Sequence, residues 1–246
     1  MISIQNVSKT YNQKTKACDQ ISLEIQSGEI FGFLGPNGAG KTTLIKTMTG
    51  VISMDEGRIL LDGVDIETDP LQAKQRIGYV PDDPNMFLRL KGLEYLNFMA
   101  DVYQVSQEDR VQRIEKLTKE FSMDTVLADK IQSYSHGMRQ KITLIGALVS
   151  QPPVWILDEP MTGLDPKASF LLKQQMRNHA DLGHTVLFST HVLDTAEKVC
   201  DRVAIMDKGR ILFCGTIAEL RQNYAADSTL EAMFLELVAS DEQVEL

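Results

Sequence analysis

Apolar residues along this chain recur with two periods, and the switch between them divides it. Near the N-terminus Ile2, Ile4 and Val7 begin an alternation, and Ile21, Leu23 and Ile25 make a second one. A two-residue rhythm puts apolar side chains on one face of a strand. Tyr11 lies in the polar link between these two strands. Ile30, Phe31, Phe33 and Leu34 form a short apolar strand that runs into a glycine-rich turn, and a helix begins near Lys41. Leu44, Ile45 and Met48 share a helical face, with Gly50 as the stop. Arg58 to Leu61 runs into Asp62-Gly63, a hairpin-turn dipeptide. Ile77 to Val80 reads as a buried strand ending at Pro81.

From about Asp83 to Ser150 the pattern is largely helical. Ser106 and Asp109 have capping-box spacing, and Val111, Ile114, Leu117 and Phe121 follow as an amphipathic stripe. Strand signals return at Val154–Leu157, Thr185–Phe188 and Val203–Met206. Between them, Asp165-Pro166 caps and opens one helix. Another follows His191, with Val192, Leu193, Ala196 and Val199 on one side. Asp207 to Gly209 turns into a last strand around Ile211 to Phe213. Ser228 with Glu231 signals a C-terminal helix whose face is Leu230, Met233, Phe234, Leu237 and Val238. Strands alternating with helices predict an α/β chain with a mostly parallel sheet covered on both faces. The expected division is a core from 1–82 and 151–215, an inserted α-helical subdomain over 83–150, and a C-terminal helical extension over 216–246.

Composition narrows the functions this fold can serve. The 246 residues carry a net charge of −9 and no basic run, which argues against a nucleic-acid partner and against direct binding to anionic lipid. The longest apolar candidate for a membrane span, Ile142 to Val149, is short and interrupted by Thr143 and Gly146. The N-terminus lacks a signal-peptide layout, so a cytosolic chain is expected. Cys18, Cys200 and Cys214 lack metal-binding spacing and sit in apolar-patterned segments, which predicts buried reduced thiols.

The candidate chemistry starts at the glycine-rich turn. Gly35, Gly40, Lys41 and Thr42 satisfy G-x-x-x-x-G-K-[ST], with a further glycine at Gly38. Glycines let successive backbone N–H groups point inward around an anion, and the helix N-terminus adds partial positive charge. Lys41 supplies a full charge for the β- and γ-phosphates, and Thr42 a hydroxyl for Mg²⁺. Val154 to Leu157 ends in Asp158 and Glu159. A strand-tip aspartate beside a phosphate loop organises Mg²⁺, and Glu159, aimed differently, is placed to polarise a water. Ser135 opens the helix through Ile142, Leu144, Ile145 and Leu148; taken alone it is a plain N-cap. Likewise Tyr11 alone is a loop aromatic, and His191 alone a structural histidine at a strand end.

The order of these motifs resembles that of the ABC ATPases over nearly the whole chain, from Tyr11 to about Gly215. The chain resembles the nucleotide-binding subunit of an ABC transporter, particularly the export-type branch whose membrane domains are separate polypeptides. The resemblance implies a P-loop NTPase, RecA-like core with an N-terminal antiparallel β part, and ATP and Mg²⁺ as cofactors. Gly35, Pro36, Asn37, Gly38, Ala39, Gly40, Lys41, Thr42 and Thr43 match the Walker A loop, Asp158 the Walker B aspartate and Glu159 the catalytic carboxylate. Tyr11 matches the adenine-stacking aromatic. Ser135 and Gly137 lie in the signature that meets the opposite protomer's γ-phosphate, Thr162 to Asp165 match the D-loop, and His191 the switch histidine. It further implies transmembrane permease subunits and a second ATPase subunit as partners, with the chain held on the inner face of the membrane. Two positions depart from the family pattern. His136 stands where glycine is usual, and Asp82 where a glutamine usually touches Mg²⁺ and water. Asp82 can ligate Mg²⁺ but cannot donate as an amide does. The competing readings are a soluble P-loop kinase, and an ABC ATPase that works on DNA or ribosomes.

Overall fold

The computed structural model describes residues 1–12, 15–222, 224 and 229–244. Ser228, half of the expected C-terminal helix start, lies outside them. Strands β1 (Ile2–Tyr11) and β2 (Thr15–Ile25) pair antiparallel. β3 (Ile30–Leu34) leads through the glycine-rich turn into α1 (Lys41–Met48). β4 (Glu56–Leu61) and β5 (Val64–Asp65) form the expected hairpin, with Asp62 and Gly63 both at positive φ. A first sheet results, in the order β2-β1-β4-β5.

The chain then passes through α2 (Pro70–Gln75) to β6 (Ile77–Val80). Three helices follow, α3 (Gly92–Val102), α4 (Gln107–Glu120) and α5 (His136–Val149). After them come β7 (Val154–Leu157), α6 (Pro166–Asp181), β8 (Thr185–Thr190), α7 (Leu193–Val199), β9 (Arg202–Asp207) and β10 (Arg210–Gly215). The second sheet runs β10-β9-β3-β8-β7-β6, and every neighbouring pair in it is parallel except β10 with β9. α8 (Ile217–Arg221) and α9 (Leu230–Val244) close the described chain. The fold is therefore the mixed α/β arrangement expected, with an antiparallel N-terminal sheet beside a mostly parallel one.

Alternating side chains assign each strand of the parallel sheet to two cores. Val154 and Ile156 join Phe31, Phe33, Leu44 and Met48 in the layer between the two sheets. Trp155 and Leu157 face the other way, into a layer with Tyr95, Ile145, Leu172 and Met176 from α3, α5 and α6. All four side chains of β7 are fully buried, which is why that strand reads as a continuous apolar run. A third cluster packs Leu230 and Met233 of α9 against Leu34, Ala196 and Val203.

Several local expectations change. Val111 is 55% exposed, so the buried stripe of α4 is Ile114, Leu117 and Thr118, with Phe121 just beyond its end. Ser106 caps Asp109 N–H, but the Asp109 carboxylate accepts from the Ser106 hydroxyl instead of its backbone, leaving half a capping box. Val192 precedes α7 and is exposed, because α7 begins one residue later than the apolar pattern suggests. Of the thiols only Cys18 is fully buried, and burial pushes it up to about 12. Cys200 is half-buried and Cys214 exposed, since β10 is an edge strand. α2 escapes periodicity because six residues hold under two turns; its Asp69-Pro70 start, the same cap-then-proline pair as Asp165-Pro166, is the signal that finds it.

Candidate functional site

Because β3, β6, β7 and β8 run parallel, their C-terminal tips share one edge of the sheet. Ligands of open α/β sheets bind at such an edge. Here it carries the glycine-rich loop after β3, Asp82 after β6, Asp158 and Glu159 after β7, and His191 after β8. A cavity of about 290 Å³ opens there, lined by Tyr11, Ala17, Asn37 to Thr43, Asp82 and Glu159. Segments as much as 148 residues apart in sequence thus meet around one space.

Gly40 is the N-cap of α1, with φ 107, a backbone region that side chains rarely enter. A Cβ there would also strike the Ala17 carbonyl of β2, so the loop is seated against the antiparallel sheet. Lys41 is 6% exposed. Its Nζ donates to the carbonyls of Gly35 (2.7 Å) and Pro36 (3.1 Å), so these two residues tether the lysine and do not line the cavity. Burial pushes the Lys41 pKa down, against the pull of Glu159 and Asp158.

Asp158 is wholly buried. Its Oδ1 accepts from the Ser189 hydroxyl at 2.5 Å, while Oδ2 has no hydrogen-bond partner in normal geometry. Burial pushes this carboxyl up, the Ser189 and Thr42 hydroxyls pull it down, and the Asp82 and Glu159 charges push it further up. An orphaned buried carboxylate oxygen beside Thr42 fits a divalent cation. Glu159 has φ 46, a left-handed backbone at a non-glycine residue. Unlike Asp158, Glu159 lines the cavity. Its N–H donates to Ser189 Oγ at 2.9 Å, and its Oε2 lies 3.1 Å from His191 Nδ1. Ser189, which joins the Asp158 carboxylate to the Glu159 backbone, has no mark in the sequence; it sits at an inward position of β8, indistinguishable there from ordinary core filling.

Ser135, Gly137 and Asp165 are gathered elsewhere, away from the cavity lining. Ser135 caps α5, accepting from Met138 N–H at 3.3 Å. His136 is the first helical residue with ordinary negative φ, so replacing glycine there costs no backbone strain. A Cβ at Gly137 would lie 2.6 Å from the Gly163 carbonyl, and one at Gly163 would strike the His136 ring. Lys141 Nζ pairs with Asp165 Oδ2 at 2.7 Å, and Gln140 Nε2 donates to the Pro160 carbonyl at 3.2 Å. One turn of α5 thus grips the loop between Glu159 and α6.

The family model described as ABC transporter matches residues 18–162. The chain belongs to the ABC transporter family. It is an ATP-binding subunit of that family. It is similar to the ABC-type transporter ATP-binding protein EcsA of Bacillus subtilis, 33% identical over 98% of each chain. An ABC transporter ATP-binding protein of Synechocystis is 36% identical over 91% of this chain, which spans 65% of that relative's length. The solved structure of an ATP-binding subunit of an ABC transporter matches with a TM-score of 0.93 at 30% identity, covering 97% of this chain and 99% of that one. In this ABC subunit no described helix is long and apolar enough to cross a membrane.

Proposed function

We propose that this subunit binds ATP in the cavity at the β3 tip and hydrolyses it to drive a transporter, most simply an exporter. The convergence of Tyr11, Asn37 to Thr43, Asp82 and Glu159 on that one cavity carries the reading. Tyr11 offers its ring to adenine; base–aromatic stacking contributes roughly 1–3 kcal/mol. The loop N–H groups, the start of α1 and Lys41 hold the phosphates. Thr42, Asp158 and Asp82 would hold Mg²⁺, which when bound neutralises charge on the β- and γ-phosphates. Glu159 orients the attacking water and accepts its proton, and His191, bonded to Glu159 Oε2, keeps that carboxylate aimed.

Ser135, Gly137 and Asp165 lie outside the cavity of their own chain, which supports their use on the cavity of a second subunit in a head-to-tail dimer. Half of each site would then come from the partner. The coupling contact to transmembrane permease subunits falls to Tyr79–Leu90 and the groove beside it, where Leu71, Val51 and Val102 are exposed around about 490 Å³. We assign residues 1–82 and 151–215 to the catalytic core, 83–150 to a helical subdomain and 216–246 to an extension. The subunit is thereby peripheral to the inner face of the membrane. Lys41→Ala is expected to abolish ATP binding; unchanged nucleotide affinity removes the central premise. Phosphate release without any added acceptor separates this reading from a kinase.

A further inference from the structure

We propose that Asp82 makes the cavity selective for the divalent-cation complex of a nucleoside polyphosphate over the free polyphosphate. The inference rests on the nucleotide site proposed above and adds the residue that sets its cation dependence.

Two carboxylates, Asp82 and Glu159, line a space that would receive the four negative charges of a free triphosphate, and a third, Asp158, is buried next to Glu159 in the chain. None of them forms an ion pair with a described lysine or arginine; the one ring contact among them is His191 Nδ1 on Glu159. Lys41, the single basic side chain lining the cavity among the described residues, spends both of its hydrogen bonds on loop carbonyls. Asp82 reaches the same field, lining the cavity with Thr42 and Glu159. Asp158 Oδ2 is buried with no hydrogen-bond partner, a group that only a cation or a donor can satisfy.

The protein does not close a cation site by itself. Among the described residues no three histidine, cysteine, aspartate or glutamate side chains converge on one metal position. A cation therefore needs phosphate oxygens to complete its shell, and a polyphosphate needs a cation to enter among the carboxylates. The two bind with reciprocal coupling. A glutamine in place of Asp82 would still line the cavity but would lower this demand, because it brings no charge.

The test is a titration of the full chain with mant-ATP, in Mg²⁺ and in EDTA, at an ionic strength of about 0.15 M to hold screening constant. The wild-type affinity is expected to fall by roughly tenfold or more without Mg²⁺, within the usual range of coupling between two ligands. In Asp82→Gln and Asp82→Asn the ratio should shrink to roughly threefold, chiefly by tighter binding in EDTA. Equal ratios in wild type and both variants overturn the proposal, as does wild-type affinity that ignores Mg²⁺. Saturable Mn²⁺ binding to the nucleotide-free chain, followed by its spin-resonance signal, at affinities matching the ternary complex also overturns it. A Lys41→Ala chain that keeps full mant-ATP affinity instead defeats the nucleotide site itself.

Discussion

At Glu159 a left-handed backbone is held by a serine on its N–H and a histidine on its carboxylate. Glu159 has φ 46 and lines the cavity while the neighbouring Asp158 is wholly buried, so two adjacent acids occupy different positions. Ser189 ties the two together by accepting from the Glu159 N–H while donating to Asp158 Oδ1. Glu159→Gln keeps the shape and removes the proton acceptor. ATP binding should persist while phosphate release falls by about 10²–10⁴-fold, the usual contribution of a positioned base. Turnover near the parent rate would remove Glu159 from the chemistry. Asp158 and Glu159 were legible as a carboxylate pair at a strand tip, but the strained turn between them leaves no mark in the sequence. Gly137 shows the same limit: its glycine suits approach to a phosphate, yet the structure adds a nearer reason, the Gly163 carbonyl of its own chain.

At the level of elements, caps and strand runs are legible in the sequence because their signals are local. Asp165-Pro166 starts α6 as expected, with Asp165 Oδ1 accepting from Ala168 N–H at 2.8 Å. That aspartate also receives Lys141 from α5, so it fixes a helix end and a helix–loop junction together. Asp165→Ala, which removes the cap and the ion pair together, should destabilise the fold by about 1–2 kcal/mol, most of it from the cap. Lys141→Ala, which removes a half-exposed ion pair, should cost less, about 0.2–1 kcal/mol. Urea unfolding of both variants checks the order; a larger loss from Lys141→Ala would place the pair above the cap. The elements that periodicity misjudged are those whose exposure depends on a neighbour. Val111 and Val192 carry the apolar pattern but meet solvent, 55% and 45% exposed.

For the whole molecule, burial at the base of the sheet, opposite the cavity, sets a pH dependence. His179 of α6 is 5% exposed, bonds the Pro152 carbonyl at 2.7 Å, and packs against Trp155 and His184. Burial lowers its pKa from 6.5 to about 4, against the pull of the Pro152 carbonyl and with help from His184. Below 6.5 the unfolded chain takes up a proton that the native state refuses, so stability falls as pH falls toward 4. The loss from this group is about 2 kcal/mol between pH 7 and pH 5. In His179→Gln that component disappears, and urea unfolding at the two pH values should show a flatter profile than wild type. An unchanged slope would mean that His179 charges freely in the native state.

The sequence alone determined the strands and helices with strong local period, the phosphate-loop motif, the carboxylate pair and the family, because each depends on residues close together in the chain. Only the tertiary structure decided which of them meet. Parallel pairing of β3, β6, β7 and β8 gathers their four tips at one edge, while the first turn of α5 is held by its own 160–165 loop, clear of the cavity. Strand order and helix packing follow from burial summed over distant segments, a quantity no short stretch of sequence contains.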